Sequence, residues 1–484
     1  TNMNDSQVVA QAQKKVKGQV VDATGEPLIG VNITVIGGTE GTITDIDGHF
    51  SFRADDLNGV LVVSFVGMET QEIPMKGKGT FDIVLKSSNT LLEEVQVVAY
   101  GAQKKVTLTG SISSVNTDEL LKVPTASIGN MLSGVLSGVS SIQSSGQPGG
   151  DDPDVFIRGI STLNTMNAKP LYLVDGVERS FFQIDPNEVE NITILKDASS
   201  TAVFGVRGAN GVIIVTTKKG SKNGKTNVNY SGYVAIDNTL KTLDMMNASE
   251  LLAYANANNV DLSPYYDVNN PADTNWQDEV LRSGFSHNHN ISINGGNEKT
   301  TYSASLNYID REGVVRGTSM DRITARSFLQ TKTLKDHLDL SVSVNASITN
   351  KQTASTENQG RSVLDAMYYY NPLVPVKNAD GSWYANTSIS QSYNPLSMVY
   401  EDQYKTKEKM LQGIAKATLH IIDGLDWNLN LSYQNEQYIY SNYNTTQSQL
   451  PNISSRHGQA SRSTKENIKK QMETYVNYDH VFAD

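Results

Sequence analysis

The fold is decided by the stretch VFIRGISTLNTMNAKPLYLVDGVE (residues 155–178), followed after a spacer by NEVENITILKDASSTAVFGVRGANGVIIVTTKKG (residues 187–220). Three short apolar runs in it, each followed within three residues by Gly, Thr or Asp-Gly, predict buried strands that end in tight turns: 155–157, 171–174 and 212–215. A helical segment between the last two runs opens on Asp197 and ends at Gly205. We therefore predict a compact mixed α/β unit without an evident catalytic constellation.

The composition excludes several classes of function. A chain of 484 residues predicts two to four domains, and its net charge of −11 argues against a nucleic-acid partner, which would require basic patches. Cysteine is absent, which excludes disulfides and thiolate metal sites. No apolar run reaches the roughly 20 residues of a spanning helix, whereas the alternating strands of a barrel would escape that test. We expect any signal peptide to have been removed already.

The N-terminal segment has the pattern of a small all-β domain. Residues 1–14 are polar and predict a flexible tail. Residues 15–88 contain about seven short apolar runs with turn signals between them, which predicts a β-sandwich. Asp45 and Asp47 resemble the start of a calcium loop, but His49 replaces the next ligand and the bidentate Glu is missing. A plain β-turn is the better interpretation.

The segment LLEEVQVVAYG (residues 91–101) is β-prone and follows a short polar linker. Two interpretations remain open for it. It could form an edge strand of the sandwich, or it could be a recognition strand that a partner captures by β-augmentation, in which backbone hydrogen bonds provide the affinity.

Residues 219–484 consist largely of long alternating segments, in which apolar residues share one face and small polar residues the other. Such segments are typical of transmembrane barrel strands. We predict about eight of them, near 225–237, 286–297, 299–311, 319–333, 335–350, 406–422, 424–441 and 465–482. Tight turns alternate with two long loops, 238–285 and 351–405. Aromatic residues of the second loop could stack on sugars or pack on a partner: Tyr368, Tyr369, Tyr370, Trp383 and Tyr384.

The sequence predicts neither an enzyme nor a bound cofactor or metal. His287 and His289 share a strand face, but no third ligand accompanies them, and surface histidines are the better interpretation. Gly205, Gly208 and Gly211 follow a helix and precede a strand, which is the reverse of the order in a dinucleotide site.

These elements in this order resemble the SusC/RagA family of TonB-dependent outer-membrane transporters of Bacteroidetes-type bacteria. The resemblance extends over nearly the whole chain from about residue 16, and the run LKDASSTAVFGVRGANGVIIVTTKKG is its most specific part. Its first domain resembles a carboxypeptidase-regulatory-like sandwich. The fold class is therefore expected to be mainly β, with a sandwich (15–88), a TonB box (91–101), an α/β plug (102–218) and the N-terminal portion of a transmembrane barrel (219–484).

The resemblance also implies functional residues. The TonB box corresponds to Glu93, Glu94, Val95, Gln96, Val97, Val98 and Ala99. The motif of the plug core corresponds to Arg158, Gly159, Asp175, Gly176, Lys196, Asp197, Arg207 and Gly211. The plug loop between two predicted strands is expected to face the substrate through Ser161, Thr162, Asn164, Thr165 and Asn167.

The resemblance implies import of a large nutrient, a glycan or an oligopeptide, across the outer membrane. The implied partners are TonB, a SusD-like surface lipoprotein and outer-membrane lipid, with the N-terminal domain in the periplasm. A surface adhesin or protein-docking module that does not transport is the alternative. Eight strands cannot enclose a plug, because plugged transporters have about 22, and the sequence therefore predicts an incomplete barrel.

Overall fold

The structure is a computed structural model that describes residues 14–479, with gaps at 23–25, 29, 36–40, 46, 55–56, 66–67, 69, 86–94, 99–100, 105–111, 117–127, 133, 144, 151, 163–167, 181–183, 223, 355–361, 386–391, 451–452 and 454. The backbone, but not the side chains, is described for 95–98, 101–104, 112 and 116. The chain divides into two compact units, Thr1–Thr109 and Gly110–Asp484. Each unit is presented by itself.

The first unit contains the predicted seven-stranded sandwich. Its strands are β1 (Lys14–Asp22), β2 (Asn32–Val35), β3 (Gly41–Ile43), β4 (His49–Ala54), β5 (Val60–Ser64), β6 (Gln71–Pro74) and β7 (Thr80–Leu85). They form a three-stranded sheet, β4-β1-β7, and a four-stranded sheet, β3-β2-β5-β6. Fully buried Val16, Ile33 and Leu61 belong to the core between them. At the predicted turn, the Asp45 carboxylate accepts hydrogen bonds from the backbone N–H groups of Asp47 (3.0 Å) and His49 (2.8 Å).

The β-prone segment after the linker forms a hairpin of its own. β8 (Val95–Val98) pairs antiparallel with β9 (Gly101–Lys104), and neither strand joins a sheet of the sandwich. The interpretation of this segment as an edge strand of the sandwich is therefore wrong.

The second unit begins with the predicted α/β domain, referred to below as the plug. Its strands are β10 (Ile112–Asn116), β11 (Val139–Ile142), β12 (Asp154–Ile157), β13 (Leu171–Val174), β14 (Val177–Glu178), β15 (Val189–Leu195) and β16 (Val212–Thr217). Five of them form the sheet β10-β15-β16-β13-β14, whereas β11 and β12 pair separately. The helices are α1 (Ile128–Leu132), α2 (Ala198–Thr201) and 3₁₀ turns at Pro186–Glu188 and Ala202–Gly208.

The plug has a continuous apolar core. Its fully buried members come from two strands and one helix: Ile192 and Ile194 of β15, Ile213 and Val215 of β16, and Ile128 of α1. The three predicted apolar strands are present. A fourth strand, β15, lies next to β16 inside the sheet and was not among the predicted strands. The predicted helix from Asp197 is short, because the chain changes to 3₁₀ geometry at Ala202 and Gly205 has a left-handed φ of 58°.

The remainder of the second unit is an eight-stranded antiparallel sheet in sequential order, as predicted. Its strands are β17 (Asn227–Asp237), β18 (Gly284–Gly296), β19 (Thr300–Glu312), β20 (Ser319–Thr333), β21 (Leu338–Thr353), β22 (Asp402–Ile422), β23 (Leu425–Asn444) and β24 (Gln459–Tyr478). Three connections are tight turns at one end, near 297–299, 334–337 and 423–424. The connections at the other end are longer. No helix among the described residues is long and apolar enough to cross a membrane.

The longer connections pack together into a loop cap. Its helices are α3 (Ala248–Ala257), α4 (Trp276–Val280), α5 (Val363–Tyr369) and α6 (Pro395–Glu401), with a 3₁₀ turn at Ser263–Tyr265. Trp276 contacts Tyr370 edge-to-face with ring centroids 4.8 Å apart, and its indole N–H donates to the Asn371 carbonyl at 3.0 Å. Both aromatic side chains are buried in one apolar cluster with residues of α5 and α6. The cap therefore has a hydrophobic core of its own.

Candidate functional site at the interface of plug and strands

The turn between β13 and β14 brings the plug into contact with the eight-stranded sheet. Asp175 and Gly176 have positive φ angles of 50° and 83°, as a two-residue hairpin turn requires. The Asp175 carboxylate accepts hydrogen bonds from the Thr217 N–H at 3.0 Å and from its hydroxyl at 2.6 Å. The turn is thereby fixed against the end of β16.

Two basic residues of the sheet reach this turn. Lys416 of β22 donates from Nζ to the Asp175 carbonyl at 2.5 Å. Arg326 of β20, which is 6 % exposed, donates from Nη1 to the Lys218 carbonyl at 3.0 Å and from Nη2 to the Thr217 hydroxyl. Its Nη2 also lies 3.9 Å from the Asp175 carboxylate. The interface is therefore held by charge-assisted hydrogen bonds, which are stronger than neutral ones.

A second set of polar contacts surrounds the 3₁₀ turn Pro186–Glu188. Asp185 caps this turn by accepting from the Asn187 N–H at 2.8 Å, and its other carboxylate oxygen accepts from the Asn290 amide of β18 at 2.7 Å. The Ser305 hydroxyl of β19 donates to the Glu188 carboxylate. Arg179 donates from Nη1 to the Gln412 side-chain carbonyl of β22 at 2.5 Å.

Burial perturbs two of these plug groups. Burial lowers the pKa of Arg179 to about 10, although the nearby carboxylates of Asp175 and Glu188 oppose that change. Burial also raises the pKa of Glu188, against the hydrogen bond from Ser305 and the attraction of Arg326. Both shifts have the same origin, since removing a charge from water disfavours its ionised form.

The raised pKa of Glu188 predicts that acid favours the docked plug. The docked state has its full stability below the ordinary pKa of a glutamate and loses part of it as the pH rises through the raised pKa. We expect Glu188→Gln to remove this loss, whereas Ser305→Ala should enlarge it by deleting the opposing hydrogen bond. Limited proteolysis of the plug in urea, between about pH 5 and pH 8, measures this dependence. An unchanged profile in both variants would contradict the assignment.

The other charged residues of the predicted plug motif form hydrogen bonds or ion pairs within the plug. Asp197 caps α2 by accepting from the Ser200 N–H at 2.9 Å. Arg207 pairs with Glu178 at 2.8 Å. Lys196 donates to the Ser113 hydroxyl and the Ser137 carbonyl, and burial lowers its pKa.

Three further motif residues, besides Asp175 and Gly176, have left-handed backbones. Arg158 and Gly159 have φ angles of 60° and 89°, and Gly211 has one of 90°. A Cβ on Gly211 would lie 2.6 Å from Ile157 Cδ1, so only glycine fits there. Of the eight predicted residues, Asp175 and Gly176 form the turn that the strands contact.

The other two predicted sets lie partly outside the described residues. In the loop expected to face substrate, the exposed Ser161 hydroxyl donates to the Asn210 side chain at 2.8 Å, and Thr162 follows it. Asn164, Thr165 and Asn167 lie outside the described residues. In the predicted TonB box, Val95, Gln96, Val97 and Val98 form β8, whereas Glu93, Glu94 and Ala99 lie outside the described residues.

Sequence reasoning missed most of the interface. Arg179, Asp185 and Glu188 of the plug were not singled out, nor were Arg326 and Lys416 of the strands. The sequence does contain a signal for Arg326 and Lys416. Each is a cation on the inward face of its strand, and a charge that is removed from water there needs a partner.

The loop cap contains a partly open cavity of about 1130 Å³. Its wall includes Tyr265, Trp276, Tyr368, Tyr369 and Tyr370, together with the carboxylates of Asp244 and Asp273. Tyr369 lines this pocket and is 74 % exposed. A concave site with aromatic faces and a few polar groups is the usual form of a small-ligand site.

Comparison with known proteins identifies the family. Residues 16–97 match the CarboxypepD_reg-like domain and residues 104–212 match the TonB-dependent receptor plug domain. TonB-dependent receptor SusC from Bacteroides thetaiotaomicron is 37 % identical over 79 % of this chain. The chain belongs to the SusC/RagA family of TonB-dependent receptors. Receptor P3 from Formosa agariphila is 32 % identical over 88 % of the chain.

The receptor shares its fold with a solved structure of the family. It superimposes on the RagAB peptide importer in its closed-closed state with a TM-score of 0.67 and 21 % identity, covering 78 % of this chain and 46 % of that one. The chain spans about two fifths of the curated relatives, 39 % of SusC and 42 % of P3. Family membership places the receptor in the outer membrane and among receptors rather than enzymes. Its shorter turns then belong to the periplasmic side and its loop cap to the outside.

Proposed function

We propose that the receptor takes part in TonB-dependent import of a large nutrient, a glycan or an oligopeptide, across the outer membrane. The observation that carries this proposal is the polar interface at Asp175, where a plug with its own apolar core is held against the strands by hydrogen bonds and charge. Such an interface can separate without exposing a hydrophobic core. A polar interface of this kind therefore suits a plug that must undock during transport and dock again afterwards.

The plug then acts as a two-state element. In the docked state it obstructs the lumen, and in the released state its contacts with Arg326 and Lys416 are broken. Ligand binding or a pull on the chain can shift this equilibrium only as far as it favours one state over the other. Substrate occupancy would favour exposure of the TonB box, and force would favour release of the plug.

We assign the TonB box to the segment that contains β8. A two-stranded hairpin is at best marginally stable in water, so β8 can exchange its pairing with β9 for a strand of TonB. This is β-augmentation, in which backbone hydrogen bonds supply the affinity. The segment precedes the plug in the chain, so a pull on it reaches the plug.

The cavity in the loop cap is the proposed first contact with substrate, beneath a SusD-like lipoprotein lid. Aromatic faces stack on sugar rings and on peptide side chains alike. The side-chain amide of Asn371 can donate or accept hydrogen bonds, and the carboxylate of Asp273 can accept them. The relative RagAB is described as a peptide importer. Both substrate classes therefore remain within the proposal.

Replacing Tyr369 by alanine should weaken substrate binding about two- to tenfold, because a stacked aromatic side chain contributes roughly 0.5–1.5 kcal/mol beyond the area that it buries. Because Tyr369 is 74 % exposed, its truncation removes little buried area, and the unfolding midpoint should change little. Binding of candidate glycans and peptides by calorimetry tests this expectation. Tyr254→Ala is the matched control, since Tyr254 is 54 % exposed on α3 and does not line the cavity. Equal losses in both variants would argue against the cavity.

Uptake of labelled substrate by cells with and without TonB tests the proposed function as a whole. We expect accumulation only when TonB is present, with surface binding unchanged by its deletion. Binding without accumulation in either strain would instead indicate an adhesin or docking module.

A further inference from the structure

β22 presents one face to the plug and the opposite face outward. Gln412 and Lys416 contact the plug, and Met410 and Ile414 are buried on the same side. Because side chains of a strand alternate between its two faces, the odd-numbered positions from 405 to 419 point away from the plug. In an outer-membrane barrel, this outward face meets lipid.

The outward face of β22 changes abruptly from apolar to basic. The odd positions from Leu411 to Leu419 are Leu, Gly, Ala, Ala and Leu, over about the nine residues with which a tilted strand crosses the hydrocarbon layer. The next three outward positions toward the loop cap are Lys405, Lys407 and Lys409, and all three are exposed. The lysines therefore lie where the outer leaflet changes from hydrocarbon to headgroups.

The neighbouring strands leave these lysines without compensating charge. On β21 the residues opposite them are Ile348, Asn350 and Gln352. On β23 they are Gln437, Ile439 and Ser441. No carboxylate among the described residues forms an ion pair with any of the three lysines. One strand further out, β24 places Arg462 opposite Ser441 and Glu466 opposite Gln437, and β20 places Asp321 opposite Asn350. The three lysines are therefore the only cluster of like charge among these positions.

A shallow groove of about 530 Å³ lies on the same outward face, directly below the lysines. It exists because Gly413 has no side chain, and a Cβ built there would meet no atom within 4 Å. Its outward lining is largely apolar and consists of Val342, Gly413, Ala415, Leu431, Tyr433, Lys470 and Met472. Gly413 is four residues from Lys409, about 14 Å along the strand, so one lipid molecule can reach both.

We propose that this face is a specific binding site for a phosphate-bearing glycolipid of the outer leaflet. The headgroup phosphates pair with Lys405, Lys407 and Lys409, and an acyl chain passes Leu411 into the groove above Gly413. The three lysines supply the charge for the phosphates, and the groove supplies the contact area for the chain. A basic cluster at the membrane surface attracts anionic lipid.

Native mass spectrometry of the receptor purified in detergent tests the site, with titrations of bisphosphorylated lipid A and of its dephosphorylated form. We expect the wild type to retain the phosphorylated lipid at least tenfold more tightly than the dephosphorylated one. The variant Lys405→Gln/Lys407→Gln/Lys409→Gln should lose that preference. Gly413→Leu should fill the groove and weaken binding of both lipids, with no loss of folding because open space surrounds the position.

The matched control is Lys299→Gln/Lys332→Gln/Lys335→Gln, which removes the same charge at the periplasmic turns. It should bind phosphorylated lipid A as the wild type does. Equal affinity of the wild type for both lipids, or wild-type affinity in the triple variant of β22, would overturn the proposal. A loss in the control variant as large as that in the β22 variant would do the same, because it would show that only net charge matters.

Discussion

Replacing Val97 by proline should reduce uptake at least a hundredfold and leave substrate binding at the cell surface unchanged. Proline has no backbone N–H and fixes φ, so a strand that contains it cannot complete a ladder with an added partner strand. Val97 lies inside β8, in the segment that we assign to TonB. The cavity of the loop cap belongs to the other compact unit of the chain and should keep its affinity. Accumulation of labelled substrate, measured beside equilibrium binding, separates the two effects.

Val97→Thr is the control for this experiment, since threonine keeps the N–H and the β-branched side chain. It should transport at nearly the wild-type rate. Wild-type transport by the proline variant would show that β8 is not part of the TonB box. Loss of substrate binding would show instead that the substitution damages the folded protein.

Replacing Arg326 by alanine should release the plug without any ligand. The substitution removes the hydrogen bonds to Thr217 and Lys218 and leaves the Asp175 carboxylate without its nearest cation. Losing one partner of a buried charge network costs about 3 kcal/mol, which is roughly a hundredfold in the ratio of docked to released plug. Cells that express the variant should become sensitive to large polar antibiotics, and the purified receptor should conduct ions in a planar bilayer.

Arg322→Ala is matched to it, because Arg322 is 8 % exposed on the inward face of the same strand and donates from Nε to the Thr349 hydroxyl of β21. We expect this control to lower the stability of the strands without opening the lumen. Equal conductance in both variants would mean that the plug is not held at Asp175.

The strands and turns that are determined by neighbouring residues in the chain could be predicted from the sequence. The alternation of apolar and small polar residues predicted all eight long strands, because the two faces of a strand meet different surroundings. The dipeptide Asp175-Gly176 predicted a tight turn, because both positions require a positive φ. The apolar runs predicted the sandwich and three strands of the plug.

The contacts that make the site are not local. Arg326 and Thr217 are 109 residues apart, and Ser305 and Glu188 are 117 apart, so no window of sequence contains both partners. β15 was not predicted, because Glu190 and Asn191 interrupt its apolar pattern at a bulge after Val189. The loop cap could not be predicted for the same reason, since the indole of Trp276 finds its acceptor 95 residues away.

The order of strands in the plug has a mechanical consequence. β10 is an edge strand and the first strand of the plug in the chain, joined to the sheet by five residue pairs with β15. A load applied from the N-terminal side therefore acts on β10 first and can detach it while β13 to β16 stay paired. Asp175, Glu188 and Thr217, which hold the plug to the barrel strands, lie beyond β10 and would carry load only later. The plug should therefore come apart stepwise under load: β10 is withdrawn first, and the contacts that hold the plug to the barrel strands break later.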